Sequence, residues 1–150
     1  MIISKDIPDF TSFNVRFGFD NCKAGIKNYD TFIKKLHIND VLKFHITVNP
    51  TITKKGKRIP LNMNRTEKQP YCSDDWLKDR IQTNGAEIIS AQISSYEHHQ
   101  IIKNDRKITL VTATFDGNLK VTDIDKFSKA LIAGIGHEKA YGCGMLSVMR

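Results

Sequence analysis

The chain has 150 residues, a length that suits one ordinary domain with enough apolar material for a buried core. Apolar residues make up 40% and charged residues 26%, and no run of eighteen apolar residues occurs, so we expect a globular protein without a membrane span. The net charge is +7, from 23 basic and 16 acidic residues. The three cysteines are far apart and form no CxxC pair, which argues against a disulfide framework or a zinc knuckle and suggests a reducing, cytoplasmic setting.

The first 41 residues show little regular pattern. Met1–Ser4 is long enough for a single strand, and residues 9–28 are predicted to be a linker. One short helix is predicted from the spacing of Tyr29, Phe32, Ile33 and Leu36. Because a lone strand is not stable by itself, we expect Met1–Ser4 to join a sheet edge or to be the last strand of a further domain.

The next elements are a strand and a basic loop. In LKFHITV, residues 42–48, apolar and polar side chains alternate strictly, which predicts a half-buried strand that Asn49-Pro50 ends. The segment from Thr51 to Pro70 is predicted to be a loop, and its only acid is Glu67.

A helix is predicted over residues 73–84, with Ser73 as its N-cap and Asn84-Gly85 at its end. Two strands rich in Ile, Val and Thr are predicted at residues 86–97 and 107–119. The intervening KNDRK is predicted to be a basic turn that makes these strands antiparallel.

The last predicted elements are a helix and a closing strand. Thr122 and Asp125 make a TxxD capping signal, apolar residues recur at helical spacing behind it, and Gly134 marks the stop. The segment GMLSVM is suited to a closing strand.

From residue 42 onward the predicted order is strand, helix, strand, strand, helix, strand. This is the order of the α+β ferredoxin-like βαββαβ unit, whose four-stranded antiparallel sheet carries both helices on one face and leaves the other face free. RNA-recognition domains use this arrangement, but the fold supports many functions and does not decide between them.

Basic residues are concentrated in two of the predicted connections. These are Lys54, Lys55, Lys57 and Arg58 in the first, and Lys103, Arg106 and Lys107 in the second. Each cluster alone is as well explained by an ordinary solvated loop, but two basic loops in one small domain favour a polyanionic partner.

The C-terminal segment KALIAGIGHEKAYGCGMLSVMR carries four glycines within eleven residues. It fails the P-loop pattern and the dinucleotide fingerprint, and both of those cradles leave a strand and enter a helix, whereas this loop does the reverse. Glycines permit positive φ, so successive N–H groups of the loop can converge on an anion as a nest. The plainer interpretation is that Gly134 is a C-cap and that Gly142 and Gly144 form a bulge.

The stretch VTATFDGNLKVTDIDKFSKALIAGIGHEKAYGCGMLSV closely resembles the C-terminus of the CasE family, the type I-E CRISPR-associated endoribonucleases of the RAMP superfamily. The family patterns are F-x-G-x-L-x-V-x-D and, after a helix, G-I-G-x-x-K-A-x-G-C-G-L-L. The chain matches almost every fixed position, although Met145 replaces the first of the two leucines. Upstream, LKFHITVNP and the following basic segment resemble the family's L-x-F-x-L-x-x-N-P strand, and Trp76-Leu77 falls on its helix.

The resemblance implies two tandem ferredoxin-like domains, of which this chain has the second at residues 42–150 and, within residues 1–41, the last strand of the first. It implies that the protein binds the stem-loop of the CRISPR repeat, cuts it without a metal or cofactor to leave a 2′,3′-cyclic phosphate, and remains in the Cascade complex. The family's catalytic His lies in the part of the first domain with which nothing here aligns. We therefore assign no catalytic residue, and His137 is only a weak candidate.

The resemblance implies that this chain supplies RNA-binding surface, since A-form stems are read through shape, phosphates and 2′-hydroxyls. The expected RNA-binding residues are Lys54, Lys55, Lys57, Arg58, Lys103, Arg106, Lys107, Gly134, Gly136, His137, Lys139, Gly142 and Gly144.

Two versions of this function remain open. The chain is either a CasE protein without most of its first domain, or a short non-catalytic relative that occupies the CasE position on Cascade and regulates or inhibits it. A ferredoxin-like metabolic or metal-binding domain is a third alternative, disfavoured because His, Cys and Asp are not spaced as ligands.

Overall fold

The computed structural model describes residues 28–103 and 106–150, with side chains described for residues 28–100 and 109–150. Contacts divide the chain into two compact units, Met1–Lys35 and Leu36–Arg150. The predicted strand Met1–Ser4 and almost all of the predicted linker lie outside the described residues.

In the first unit, helix α1 spans Tyr29–Ile33. The Asn28 side chain caps it by accepting a hydrogen bond from the Thr31 N–H, 3.2 Å away. The Lys34 N–H then donates to the carbonyls of Asp30 and Phe32, which tightens the last turn and ends the helix. The prediction that Leu36 shares this helix was therefore wrong, because Leu36 lies beyond its end and is buried as part of the second unit.

The second unit is built on a four-stranded antiparallel sheet. Its elements in chain order are β1 Val41–Val48, β2 Thr51–Lys54, β3 Lys57–Pro60, α2 Ser73–Thr83, β4 Ala86–Lys103, β5 Arg106–Val121, α3 Ile124–Ala133 and β6 Ser147–Met149. The strands are ordered β4-β5-β1-β6, and β2 and β3 form a separate two-stranded sheet. This order is that of the ferredoxin-like fold, so the predicted architecture is confirmed.

The core forms because each element has one apolar face. Along β1, Leu42, Phe44, Ile46 and Val48 are buried, while the side chains between them face away from the core. The matching face of β5 is buried from Val111 to Val121, α2 buries Trp76, Leu77 and Ile81, and α3 buries Phe127, Ala130 and Leu131. Period 2 in the strands and period 3.6 in the helices therefore give one core between sheet and helices.

The motif F-x-G-x-L on β5 has a steric origin. Phe115 and Leu119 are fully buried, and Gly117 lies between them opposite Phe44 of β1. A Cβ at position 117 would lie only 2.0 Å from the Ser90 carbonyl oxygen, because β4 bulges between Ile88 and Ser90. Only glycine fits where the bulged strand approaches this closely.

Both long helices are capped one residue away from the predicted position. The N-cap of α2 is Cys72, and Ser73 is instead a buried first residue whose hydroxyl donates to the Asn62 carbonyl over 2.9 Å. The N-cap of α3 is Asp123, whose carboxylate accepts from the Lys126 N–H at 3.0 Å. The prediction of Ser73 was wrong because its hydroxyl bonds the Asn62 carbonyl instead of capping the helix. The Thr122–Asp125 signal was wrong because Asp123, next to Thr122, supplies the cap.

The segment Thr51–Pro60 was predicted as a loop and is in fact the hairpin β2–β3. Lys55 and Gly56 form its two-residue turn with φ values of 49° and 74°. Positive φ at both positions suits the right-handed twist of the two strands. Lys-Gly is a weaker turn signal than Asn-Gly, which explains why the hairpin was missed.

The central hairpin is longer than predicted, whereas the closing strand is shorter. Strands β4 and β5 pair from Ala86 opposite Val121 to Lys103 opposite Arg106. Strand β6 is confined to Ser147–Met149, because only these residues pair with β1.

The start of α2 is held by a charged cluster around Asp75. The Asp75 carboxylate accepts hydrogen bonds from the Arg65 guanidinium and from the Cys72 N–H, the latter over 3.0 Å. Arg65 first, and then the Cys72 N–H, lower the pKa of Asp75 from 3.8 to about 2. The cluster ties the segment before α2 to the helix.

We predict that Asp75→Asn lowers the free energy of unfolding by about 1–2 kcal/mol at pH 7. Because the folded-state pKa is depressed, this contribution is complete above pH 3.8 and is lost as the pH falls towards 2. Urea denaturation between pH 2 and 7 should show a wild-type advantage that disappears at the acid end. Asp74→Asn, an exposed change in the same turn, is the control, and an equal effect from it would contradict the prediction.

Candidate nucleic-acid interface

The glycine loop, residues 134–144, is closed by a crossing of its two ends. Gly134 is the C-cap of α3, as predicted, with φ 73°. The Ile135 N–H donates to the Gly144 carbonyl over 2.7 Å. A Cβ on Gly144 would lie 2.4 Å from the Ile135 oxygen, and one on Gly134 would lie 2.8 Å from the Gly144 oxygen. These two glycines are needed because two backbones touch.

The apolar residues of the loop anchor it in the core. Ile135, Cys143 and Leu146 are each at most 3% exposed. Burial, and secondarily the Glu138 charge, raise the pKa of the Cys143 thiol. Because the reactive form of cysteine is the thiolate, Cys143 serves as a small packing group.

The middle of the loop is open to solvent. Glu138 is left-handed with φ 61° and ψ 34°, and a single 3₁₀ turn, Lys139–Tyr141, follows it. His137, Lys139 and Gly142 are exposed. Gly136 is half-buried because it packs against the Trp76 ring, where a Cβ would come within 2.9 Å.

The hydrogen bonds decide which N–H groups can meet an anion. Those of Gly134 and Gly144 donate to the carbonyls of Ala130 and Thr47, so they stabilise the fold. The N–H groups of Gly136, His137 and Glu138, by contrast, donate to no acceptor among residues 28–103 and 106–150. A left-handed residue followed by a right-handed turn is the backbone geometry of an anion nest. Any nest is therefore confined to the exposed middle of the loop.

Lys139 lies next to these N–H groups in the chain and also supports α3. Its ammonium donates to the Ala133 carbonyl over 2.6 Å, at the negative end of the helix dipole. An ammonium has three donors, so two remain for other acceptors.

The basic hairpin, Thr51–Pro60, meets the glycine loop through one ion pair. The guanidinium of Arg58 lies 3.1 Å from the Glu138 carboxylate, between residues 80 positions apart in the sequence. Lys54, Lys55 and Lys57 are exposed around the hairpin turn. The first basic cluster and the middle of the loop therefore occupy one surface.

The second basic cluster lies at the far end of the β4–β5 hairpin. Lys103 pairs with Arg106 in the strand register, and Lys107 pairs with Ile102. The side chains of these residues, and Asn104-Asp105 between them, lie outside the described part of the chain.

The free face of the sheet is polar and cross-linked by side chains. His45 Nδ1 lies 2.7 Å from Asp116 Oδ1, and the hydroxyls of Thr47 and Thr114 are 2.9 Å apart. Ser94 first, and then His45, lower the pKa of Asp116. His45 is exposed but hydrogen-bonded, beside a depression of about 300 Å³ that reaches β6. Within the described ranges, no group of His, Cys, Asp and Glu comes together that could hold a metal ion.

Sheet order, helical crossovers, glycine loop and basic hairpin together define a ferredoxin-like domain of the RAMP class. A family profile described as CRISPR associated protein matches residues 1–150, and the chain belongs to this family. The resemblance to the CasE endoribonucleases that the glycine-loop motif predicted is thereby confirmed.

Solved structures with the same fold include CRISPR endoribonuclease Cse3 bound to a 19-nucleotide RNA, with 25% identity and a TM-score of 0.66. The CRISPR-associated protein Cas6e from Escherichia coli K-12 superposes with a TM-score of 0.60 at 24% identity, which supports the fold. A chain of a CRISPR RNA-guided surveillance complex in its pre-nicking state has 27% identity and a TM-score of 0.58.

These alignments cover 77%, 76% and 81% of this chain, but only 58%, 62% and 58% of the respective solved chains. The chain therefore spans about three fifths of the length of these relatives. No curated protein sequence matches it. None of the described helices has the length and apolar character needed to cross a membrane.

Sequence reasoning missed the roles of two residues, one on this surface and one buried beneath it. Glu138 went unnoticed because an acid between basic residues and glycines gives no signal for the distant Arg58. Trp76 was assigned to a helix but not to the loop, and its contact with Gly136 depends on how the helix and loop pack. The one available signal in the sequence was the glycine at position 136, because a glycine often marks a place where another group packs against the backbone.

We predict that Gly136→Ala destabilises the protein by at least about 1 kcal/mol more than Gly142→Ala does. Both glycines have positive φ, of 86° and 80°, but only position 136 adds a clash with Trp76, since position 142 faces open space. Denaturation followed by fluorescence is suitable because the chain has a single tryptophan. Equal losses in the two variants would show that the Trp76 contact is unimportant.

Proposed function

We propose that this chain provides RNA-binding surface of a CasE-type endoribonuclease that processes CRISPR repeat RNA. The exposed middle of the glycine loop and the lysines of the basic hairpin contact phosphates of the RNA stem, and the second basic cluster, Lys103–Lys107, extends this contact along the stem. As the relative in the surveillance complex suggests, other subunits of Cascade are its protein partners, in the cytoplasm.

The observation that carries the proposal is that the N–H groups of Gly136, His137 and Glu138 have no acceptor among the described residues and lie beside the four cations of the basic hairpin. Backbone N–H groups and Lys or Arg side chains are the usual phosphate donors. Such contacts read position and shape rather than sequence, which suits an A-form stem whose major groove is too narrow for side chains. The RNA bound to the relative Cse3 supports the same choice of ligand.

Cutting is proposed for the complete enzyme and not for residues of this chain. A metal-free cut that leaves a 2′,3′-cyclic phosphate needs a base for the 2′-hydroxyl, and that base must be oriented. His137 is exposed, and its ring makes no hydrogen bond within the described residues. His45 has an orienting partner in Asp116, but it lies on the exposed face of the sheet and not in the glycine loop or the basic hairpin.

We predict that Lys54→Ala, Lys55→Ala and Lys57→Ala each weaken binding of a CRISPR repeat stem-loop and reduce the slope of log K against log salt by about 0.7–0.9. Each variant removes one phosphate contact and the counterion release that accompanies it. Fluorescence anisotropy between about 50 and 200 mM salt measures the slope. Lys129→Ala, an exposed lysine of α3, is the control. Unchanged slopes in all three hairpin variants would refute the assignment of this surface.

We further predict that the purified 150-residue chain binds the repeat stem-loop but leaves it intact or nearly so. End-labelled RNA incubated with excess protein should remain uncut on a denaturing gel, whereas a full-length CasE enzyme should cut it. If the chain cuts RNA efficiently and still does so after His137→Ala and His45→Ala, it contains a catalytic group that we have not assigned. If the chain cuts RNA and one of these variants does not, the histidine replaced in that variant is the catalytic group.

A further inference from the structure

The ion pair between Arg58 and Glu138 is unexpected on a surface proposed to bind phosphate. A carboxylate there repels RNA and occupies a guanidinium that could otherwise contact phosphate. Both side chains keep some exposure, 55% for Arg58 and 28% for Glu138. Exposed pairs of this kind contribute little to stability, so stability alone is a weak reason for the carboxylate.

Glu138 is held firmly by the loop itself. Its carbonyl accepts hydrogen bonds from the Tyr141 N–H at 2.9 Å and from the Cys143 N–H at 3.4 Å. Its left-handed backbone is uncommon for a residue with a Cβ. The carboxylate is therefore presented from a fixed point of the backbone.

The basic hairpin, by contrast, has few attachments. Strands β2 and β3 pair only with each other, and a two-stranded hairpin is marginally stable in isolation. At its base the Leu61 N–H donates to the Pro50 carbonyl over 2.9 Å. From Thr53 to Ile59 every residue is exposed, and Arg58 makes the one ion pair found for this stretch within the described part of the chain.

We propose that Glu138 is a positioning residue that holds the basic hairpin beside the glycine loop through Arg58. The hairpin lysines and the loop N–H groups then form one preorganised phosphate-binding surface, and less ordering is needed when RNA binds. This inference rests on the proposed function, and it assigns a role in RNA binding to an acidic residue.

The direction in which one substitution changes RNA affinity distinguishes this positioning role from simple electrostatic repulsion. Glu138→Gln removes a negative charge at nearly constant shape, so electrostatics alone predicts tighter RNA binding. The positioning role predicts binding that is about two- to fivefold weaker, the size expected for loss of a surface ion pair. Glu67→Gln, which removes an exposed acid without an ion pair in the described residues, is the matched control and should leave binding equal or tighter.

A second measurement needs no RNA. Amide hydrogen exchange of residues 51–60 should be faster in Glu138→Gln than in the wild type, because the hairpin loses its tether. The charge-reversed double variant Arg58→Glu with Glu138→Arg should restore slow exchange, whereas either reversal alone should not. Thermal denaturation of each variant checks that the fold is retained.

The outcomes distinguish this inference from the proposed function. Tighter RNA binding by Glu138→Gln, or exchange identical to that of the wild type, overturns the positioning role even if the wild type binds RNA. A wild-type chain that binds no stem-loop overturns the proposed function, and the exchange of residues 51–60 then still decides whether Glu138 holds the hairpin.

Discussion

The two hydrogen bonds of Gly144 are the constraint on which the rest of this surface depends. Its carbonyl accepts from Ile135 and its N–H donates to Thr47, both over 2.7 Å, so one residue joins the end of α3 to the central strand β1. No side chain fits there, because a Cβ would meet the Ile135 oxygen at 2.4 Å. The core that orients β1 thus also fixes the loop.

This crossing divides the loop into a structural part and an accessible part. The N–H groups near the crossing are satisfied by carbonyls of the chain, as buried polar groups must be. Those from Gly136 to Glu138, around the exposed His137, have no partner among the described residues. The fold thereby offers donors at a fixed place, and the exposed lysines of the basic hairpin add positive charge beside them. Under the proposed function, the fixed donors suit the regular phosphates of a duplex, and the lysines add the salt-dependent part of the affinity.

How well an element could be predicted depended on how local its cause is. Strand β1 was predicted almost to the residue, because alternation along seven residues is itself the cause of its half-burial. The helix caps were misplaced by one residue, since polar residues adjoin both caps and the local sequence does not decide which residue ends the helix. The basic hairpin was missed because Lys55-Gly56 is an uncommon turn pair and exposed strands carry no apolar pattern.

The sequence by itself determined the order of elements, their apolar faces, the glycines of the loop and the two basic clusters. Each of these features depends only on residues that are close together in the chain. Only the tertiary structure decided which of the loop's N–H groups remain available, that Trp76 supports Gly136, and that Glu138 meets Arg58. These depend on residues brought together from distant parts of the chain by the sheet, and the sequence alone carries no local signal for such a meeting.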